Sequence, residues 1–279
     1  MVQNIKSVLI GMTEEGIDEP SSALAYGLSL AQKSGAHATI QAASLKVVMG
    51  NTFVGNVAAG LVSAHNRRLR QLAADVAQRA LGDAAAAGVA ASVETPQLSY
   101  GQLVDTFVAQ ARVHDLAVLD AETATVNADR GLIEALLFES GRPLIVVPPG
   151  FDTFRHHRVL VAWDGSARAT RAVNDAMDIL KSAASVEVLA IGSEKELAHE
   201  VPGAEIAPHL ARHGVNVSVK NLVVGPDGIP AILREQATLI GADLIVMGAF
   251  NHSRMREWVL GGVTQSLLED SKVPLFMSY

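Results

Sequence analysis

The feature that most constrains this chain is an internal duplication. Three segments of the first half recur in the second half in the same order: Val8–Thr13 as Val159–Asp164, Asp115–Asp120 as Asp243–Gly248, and Ser140–Ile145 as Ser271–Phe276. A Pro-Pro-Gly run at Pro148–Gly150 lies between the copies and is typical of a joint. Two matched copies of this length indicate a duplicated domain rather than a solenoid, which needs three or more shorter repeats. We therefore predict two domains, residues 1–150 and residues 151–279.

The composition fits two packed domains and excludes several classes of protein. The 279 residues are 49% apolar, which is enough to bury a sizeable core. The net charge is −7 and no basic run is present, so we expect neither a nucleic-acid nor a membrane partner. The absence of cysteine excludes disulfides, thiol nucleophiles and cysteine-ligated metals. The first residues lack the pattern of a signal peptide, so a cytoplasmic location is expected.

Short apolar runs alternate with helical stripes in each copy. In the second copy this pattern predicts strands at 158–163, 185–191, 215–223, 243–247 and 273–278, with helices between them. Strands that are apolar on both faces require a parallel sheet covered by helices on both sides. We therefore predict an α/β, Rossmann-like fold with two tandem five-stranded parallel sheets, each in the strand order 3-2-1-4-5. Such sheets bind ligands beyond the carboxyl ends of strands 1 and 4, where the chain reverses direction.

The last strand of each copy, Leu144–Val147 and Val273–Ser278, is apolar and carries no charge. An uncovered edge of this kind exposes unpaired backbone groups and favours strand pairing. We expect these two strands to pair with each other, which would give an internal pseudo-dimer, or with a second chain, which would give a homodimer.

Strand 1 of the second copy is followed by Asp164, Gly165 and Ser166. A carboxylate at this point can accept hydrogen bonds from ribose hydroxyls or hold a metal ion beside phosphates. The alternative is an acidic turn that only caps its own helix, beginning at Ser166. Trp163, which precedes the turn, is expected to have a core role.

Strand 4 of the second copy is followed by a glycine-flanked loop. Gly248 leaves the strand without a Cβ, and Asn251 tolerates a left-handed backbone. Gly261 and Gly262 open the last helix, whose N–H groups and dipole suit a phosphate, and Thr264 adds a hydroxyl in the first turn. The alternative is that the glycines merely punctuate a surface loop.

These residues resemble the nucleotide motif of a known family. Gly248, two residues, Asn251, nine residues and then Gly261-Gly262 meet in full the spacing of the G-2x-G-9x-G-(S/T) motif of the universal stress proteins. Asp164 after strand 1 and the run Asp243–Gly248 are also similar to that family. Because both copies share one frame, the whole chain resembles a tandem universal stress protein.

The resemblance implies an adenine nucleotide α-hydrolase-like fold and a stress-response protein that binds ATP in its second half. It implies that Asp164 contacts the ribose or the nucleotide's Mg²⁺, that Gly248 and Gly261 wrap the ribose and phosphates, and that the segment from Gly262 donates to phosphate. The candidate cofactor-binding residues are Asp164, Gly165, Ser166, Gly248, Asn251, Gly261, Gly262, Val263 and Thr264. Asp164 is also the candidate metal contact, through nucleotide-bound Mg²⁺.

The motif departs from the family pattern at two positions. Asn251 stands where the family has its second glycine, and Gly262 stands where it has Ser or Thr. Both an altered site that still binds nucleotide and an empty site remain open. The first copy departs further, since Thr13 replaces Asp164 and Asp120 replaces Gly248. We expect it to be a degenerate, folded partner rather than a second site.

Three functions follow from these residues. The first is a regulatory module that binds ATP and hydrolyses it slowly at most, because no residue stands out as a general base. The second is a nucleotide-free pseudo-dimeric scaffold or chaperone-like adaptor, whose protein partners the sequence does not identify. The third is a nucleotide hydrolase or transferase, for which only Asp164 is a candidate.

Overall fold

The computed structural model describes residues 2–12, 21–47, 56–121, 128–193, 202–249 and 260–279. The candidate residue Asn251 lies outside these ranges. The first half contains strands and helices in alternation. Its strands are β1 (Ser7–Met12), β2 (His37–Ala42), β3 (Ser44–Leu45), β4 (Ala91–Glu94), β5 (Gln97–Leu98), β6 (Leu116–Asp120) and β7 (Leu144–Val147). Its helices are α1 (Ser22–Ser34), α2 (Asn56–Ala86), α3 (Tyr100–Ala111) and α4 (Ala128–Glu139).

The second half follows the same plan. Its strands are β8 (Arg158–Ala162), β9 (Ser185–Gly192), β10 (Val217–Val223), β11 (Leu244–Gly248) and β12 (Leu275–Ser278). Its helices are α5 (Ala167–Asp175), α6 (Met177–Ser182), α7 (Ala207–Arg212), α8 (Gly228–Ile240) and α9 (Gly262–Asp270). The sequence pattern predicts one helix from Ser166 onward, but the structure has two. α5 ends at Asp175 with Ala176 as its C-cap, and α6 begins at Met177.

The predicted α/β class is confirmed. One sheet carries ten strands in the order β10-β9-β8-β11-β12-β7-β6-β1-β2-β4. Neighbouring strands within each half are parallel, and numbering along the chain the five strands that each half contributes to this sheet gives the order 3-2-1-4-5. β3 and β5 form a separate two-stranded sheet that the sequence pattern did not predict.

The two five-stranded sheets join into one continuous ten-stranded sheet. β12 pairs antiparallel with β7, so that Met277 lies opposite Leu144 and Leu275 lies opposite Val146. The predicted pairing between the two uncharged edges is therefore confirmed within the chain. The physical reason is that each edge presents unpaired N–H and C=O groups, and pairing satisfies both rows at once.

Helices cover both faces of this sheet. Because successive side chains of a strand point to opposite faces, Val159, Val161 and Trp163 belong to the core layer beneath α1 and α5, whereas Leu160 belongs to the layer beneath α3, α4, α8 and α9. Each layer contains residues of both halves. No helix in the described parts of the chain is long and apolar enough to cross a membrane.

Candidate nucleotide site

A cavity of about 300 Å³ lies at the carboxyl ends of β8 and β11. These strands are neighbours, with Met247 opposite Ala162, so the two places that the sequence singled out meet here. Five of the predicted residues line the cavity: Asp164, Gly248, Gly262, Val263 and Thr264. The carboxyl edge of the sheet therefore joins segments that are about a hundred residues apart in the sequence.

The other predicted residues lie beside the cavity or outside the described ranges. Gly165 and Ser166 continue the chain from Asp164 into α5, and Gly261 is the N-cap of α9, but none of the three is part of the lining. The backbone of Gly165 is left-handed, with φ of 70°, which explains why this turn uses glycine. The placement of Asn251 is not described.

Asp164 is exposed and orders its own turn. Its Oδ1 accepts a hydrogen bond from the Ser166 N–H at 3.0 Å, and the Ser166 hydroxyl accepts from the Ala169 N–H at 3.1 Å as the cap of α5. This turn therefore caps its own helix, as the alternative interpretation of the sequence predicted. It does not exclude a ligand, since a carboxylate has two oxygens with several acceptor positions and Asp164 also lines the cavity.

Helix packing requires a glycine at position 248, which the motif did not reveal. A Cβ at this position would lie 2.6 Å from the Ala169 nitrogen and 2.7 Å from the Arg168 carbonyl carbon. Both are backbone atoms at the start of α5, which therefore approaches the end of β11 more closely than any side chain would permit. This glycine lets α5 sit at the edge of the cavity.

The N-terminus of α9 faces the cavity through Gly262, Val263 and Thr264. Its N-cap residue, Gly261, has an extended backbone and supplies no side-chain cap. The first N–H groups of a helix have no partners within the helix, and together with the helix dipole they favour an anion. Thr264 is fully buried, so its side chain is part of the wall of the cavity.

The sequence pattern did not predict the apolar wall of the cavity. It consists of Leu189 and Ile191 at the end of β9, Ile229 and Leu233 on α8, and Met247 on β11. Strand register could have indicated one of these residues, because Leu189 lies opposite Ala162 in the parallel pairing of β8 and β9. The two α8 residues depend on how that helix crosses the sheet, which the sequence pattern does not specify.

The lining contains little that could hold a metal ion by itself. Asp164 is the sole ionisable side chain among the lining residues, and the described ranges contain no group of three or more His, Asp or Glu placed to ligate a metal. A metal ion at this site would therefore need further ligands from outside the protein.

In the first half, the corresponding strand ends are covered by their own side chains. A Cβ on Gly11 would overlap Leu119 and lie 2.7 Å from Phe107 Cε1, and a Cβ on Gly131 at the first turn of α4 would overlap the Tyr100 hydroxyl. These contacts close the space around the two glycines.

Asp120, the counterpart of Gly248, turns onto α1. Its Oδ1 accepts from the Ala23 N–H and its Oδ2 from the Ser21 hydroxyl, both at 2.7 Å. Burial raises the pKa of this carboxyl, although the hydrogen bonds from Ser21, Ala23 and Ser22 oppose the change. The carboxyl group of Asp120 therefore accepts hydrogen bonds at the N-terminus of α1.

The architecture defines a doubly wound α/β protein with a cleft at the switch point where folds of this class bind ligands. Residues 155–278 match the model of the universal stress protein family. These residues, which form the second half of the chain, are therefore similar to universal stress proteins.

Individual proteins show the same relationship. The universal stress protein Slr1230 of Synechocystis is 26% identical over 193 residues, a match that spans 66% of this chain and 66% of that relative. A universal stress protein from Archaeoglobus fulgidus shares the fold over 99% of this chain and 98% of its own, with a TM-score of 0.68 at 17% identity. A universal stress protein solved in complex with cAMP matches 44% of this chain and 96% of its own, at 23% identity and a TM-score of 0.37. The cAMP is a ligand of that protein, and at this score the likeness carries no argument about the present chain.

Proposed function

We propose that this chain binds one adenine nucleotide, ATP with Mg²⁺, in its C-terminal half, and that it acts as a regulatory stress-response module rather than as an enzyme. The observation that carries the proposal is the convergence of Asp164, Gly248 and the N-terminus of α9 on one cavity. A doubly wound sheet offers ligands its carboxyl edge at this switch point.

The shape and chemistry of the cavity fit the parts of a nucleotide. Leu189, Ile191, Ile229, Leu233 and Met247 form an apolar wall that suits the faces of a planar base. Asp164 suits the ribose hydroxyls, since an ionised carboxylate only accepts hydrogen bonds. The first turn of α9 suits the phosphates through its N–H groups and dipole. Mg²⁺ would be held by the phosphates together with Asp164.

The covered strand ends of the first half support a stoichiometry of one nucleotide per chain. Phe107 and Leu119 pack onto Gly11, and Tyr100 covers Gly131 at the first turn of α4. The Asp120 carboxyl at the end of β6 is already engaged by the Ala23 N–H and the Ser21 hydroxyl at the start of α1. The first half would then serve as a folded partner for the second.

The same lining supports a binding role over a catalytic one. General-base catalysis needs a titratable group near the attacked phosphate, and Asp164 is the sole such side chain in the described lining. We therefore expect hydrolysis to be slow at most. A phosphate-release assay tests this point, and release that persists in Asp164→Ala would indicate a contaminating hydrolase.

Isothermal titration of the purified full chain with Mg-ATP tests the proposal. We expect saturable heat with one site per chain, and at least about tenfold weaker binding for Asp164→Ala, because the loss of a charged hydrogen-bonding group costs about 1.5–3 kcal/mol. Asp105→Ala, which removes an exposed acid on α3, is the matched control and should bind as the wild type does. Absence of heat at millimolar Mg-ATP would reject the proposal.

One observation favours a second candidate function, a nucleotide-free scaffold or chaperone-like adaptor. The β7–β12 pairing makes the chain an internal pseudo-dimer, held by backbone hydrogen bonds between the two strands. Native mass spectrometry of the protein as purified separates the two functions. A co-purified mass of a nucleotide supports the first, whereas an unliganded chain that also gives no heat with Mg-ATP supports the scaffold.

A further inference from the structure

Trp163 borders the cavity, and its side chain also packs in the core layer on the other face of the sheet. The residue directly follows β8 and continues the ladder, since its N–H donates to the Leu189 carbonyl at 2.9 Å. Its indole ring belongs to the same core layer as Val159 and Val161, opposite to the layer that contains Leu160 and the apolar wall of the cavity. The ring is almost fully buried, with 7% exposed.

On this far face, the ring is held by a hydrogen bond as well as by packing. The indole Nε1–H donates to Glu205 Oε1 at 2.7 Å. Partial burial favours the neutral carboxyl, but the N–H groups of Glu205, Trp163 and Gly203 outweigh it and hold the pKa of Glu205 below its ordinary value. The acceptor is therefore a carboxylate at neutral pH, and charge-assisted hydrogen bonds of this kind are stronger than neutral ones.

The chain that carries Glu205 turns tightly over the ring. Gly203 has φ of 87°, and a Cβ there would lie 3.2 Å from Val188 and Val219 and 3.7 Å from Trp163 Cδ1. In the first half, Met12 stands in the place of Trp163 and offers no hydrogen-bond donor in its side chain. The indole–carboxylate pair is therefore a feature of the second half that the first half cannot reproduce at Met12.

We propose that Trp163 and Glu205 are positioning residues of the candidate nucleotide site, and that their hydrogen bond anchors the end of β8 from the far face and so fixes Asp164 at the cavity. Trp163 and Asp164 are joined by one peptide bond, so a ring that cannot shift restricts the carboxylate that follows it. The ligand side of this inference rests on the proposed function, whereas the anchoring of Asp164 does not require any ligand.

Two substitutions of Glu205 test the proposal, because this side chain is exposed and its loss leaves the core intact. The first measurement is the exchange rate of the Ser166 amide, which donates to Asp164 Oδ1 at 3.0 Å and reports on the position of that carboxylate. The second is the dissociation constant of Mg-ATP. We expect Glu205→Ala to speed the exchange by about fivefold or more and to weaken binding about three- to tenfold.

Glu205→Gln is the conservative variant, since its amide oxygen still accepts from the indole N–H. We expect it to restore both measurements to within about twofold of wild type. Glu139→Ala, an exposed acid on α4, controls for the loss of one negative charge and should change neither.

An unchanged Ser166 exchange rate in Glu205→Ala overturns the proposal, as does a Glu205→Gln variant that behaves like Glu205→Ala. For a wild-type protein that binds Mg-ATP, an unchanged dissociation constant in Glu205→Ala also overturns it. A wild-type protein that binds no nucleotide rejects the proposed function instead, and the exchange data then still decide whether the hydrogen bond fixes Asp164.

Discussion

At the scale of single residues, position in the fold gives meaning to a motif that is ambiguous by itself. Gly248 belongs to a glycine pattern associated with close approach of the chain to a ligand. The structure shows that the backbone of α5 already approaches it, within 2.6 Å of where a Cβ would stand. The glycine therefore serves helix packing, and through it the edge of the cavity.

This packing predicts the effect of Gly248→Ala. The added Cβ would meet two backbone atoms rather than a movable side chain, so α5 must shift, and we expect a loss of about 1–3 kcal/mol in the free energy of unfolding. Chemical denaturation measures it. Gly82→Ala on α2 is the matched control, because its Cβ meets nothing within 4 Å and it should gain about 0.5–1 kcal/mol. Equal effects of the two substitutions would contradict the packing argument.

At the scale of elements, β7 and β12 decide how the two copies are joined. Both strands are uncharged, and all eight of their residues are buried. Their antiparallel pairing converts two edges into the middle of one sheet. A side-chain contact between the halves supports it, as Arg171 on α5 donates to the Gly141 carbonyl at 2.8 Å.

A double cysteine variant tests the register of this pairing, since the natural chain contains no cysteine. Leu144 and Met277 lie directly opposite each other, and opposed residues of antiparallel strands have the Cα separation that a disulfide needs. We expect Leu144→Cys with Met277→Cys to form an intramolecular disulfide on oxidation, seen by intact mass after thiol labelling.

The control for this experiment pairs Leu144→Cys with Leu275→Cys. These residues are two positions out of register, at about 7–8 Å, and should remain reduced. Disulfide-linked dimers in place of the intramolecular product would indicate that the edges pair between chains.

At the scale of the whole molecule, the halves share their core layers. One layer contains Val8 and Phe276, and the other contains Leu9 and Leu275. With a continuous sheet between these layers, neither half can unfold without exposing apolar surface of the other. We therefore expect the two halves to unfold together rather than as independent domains.

Shared layers predict a single unfolding transition. Both tryptophans, Trp163 and Trp258, are in the second half, so their fluorescence follows that half, whereas far-ultraviolet circular dichroism follows both. We expect the two signals to give the same midpoint in a denaturant titration. Separate midpoints would show that the halves unfold independently.

The sequence by itself determined the α/β class, the duplication, the tendency of the two uncharged edges to pair and the two chain segments that meet at the cavity. Each of these follows from local pattern, because the period of apolar residues fixes the element and strand order fixes which ends are neighbours. Only the tertiary structure decided that the two edges pair within one chain, that the backbone of α5 requires glycine at position 248, that α8 contributes two residues to the apolar wall and that the Trp163 indole donates to Glu205. Those features depend on distances between segments remote in sequence, and packing across a sheet sets such distances while no local pattern records them.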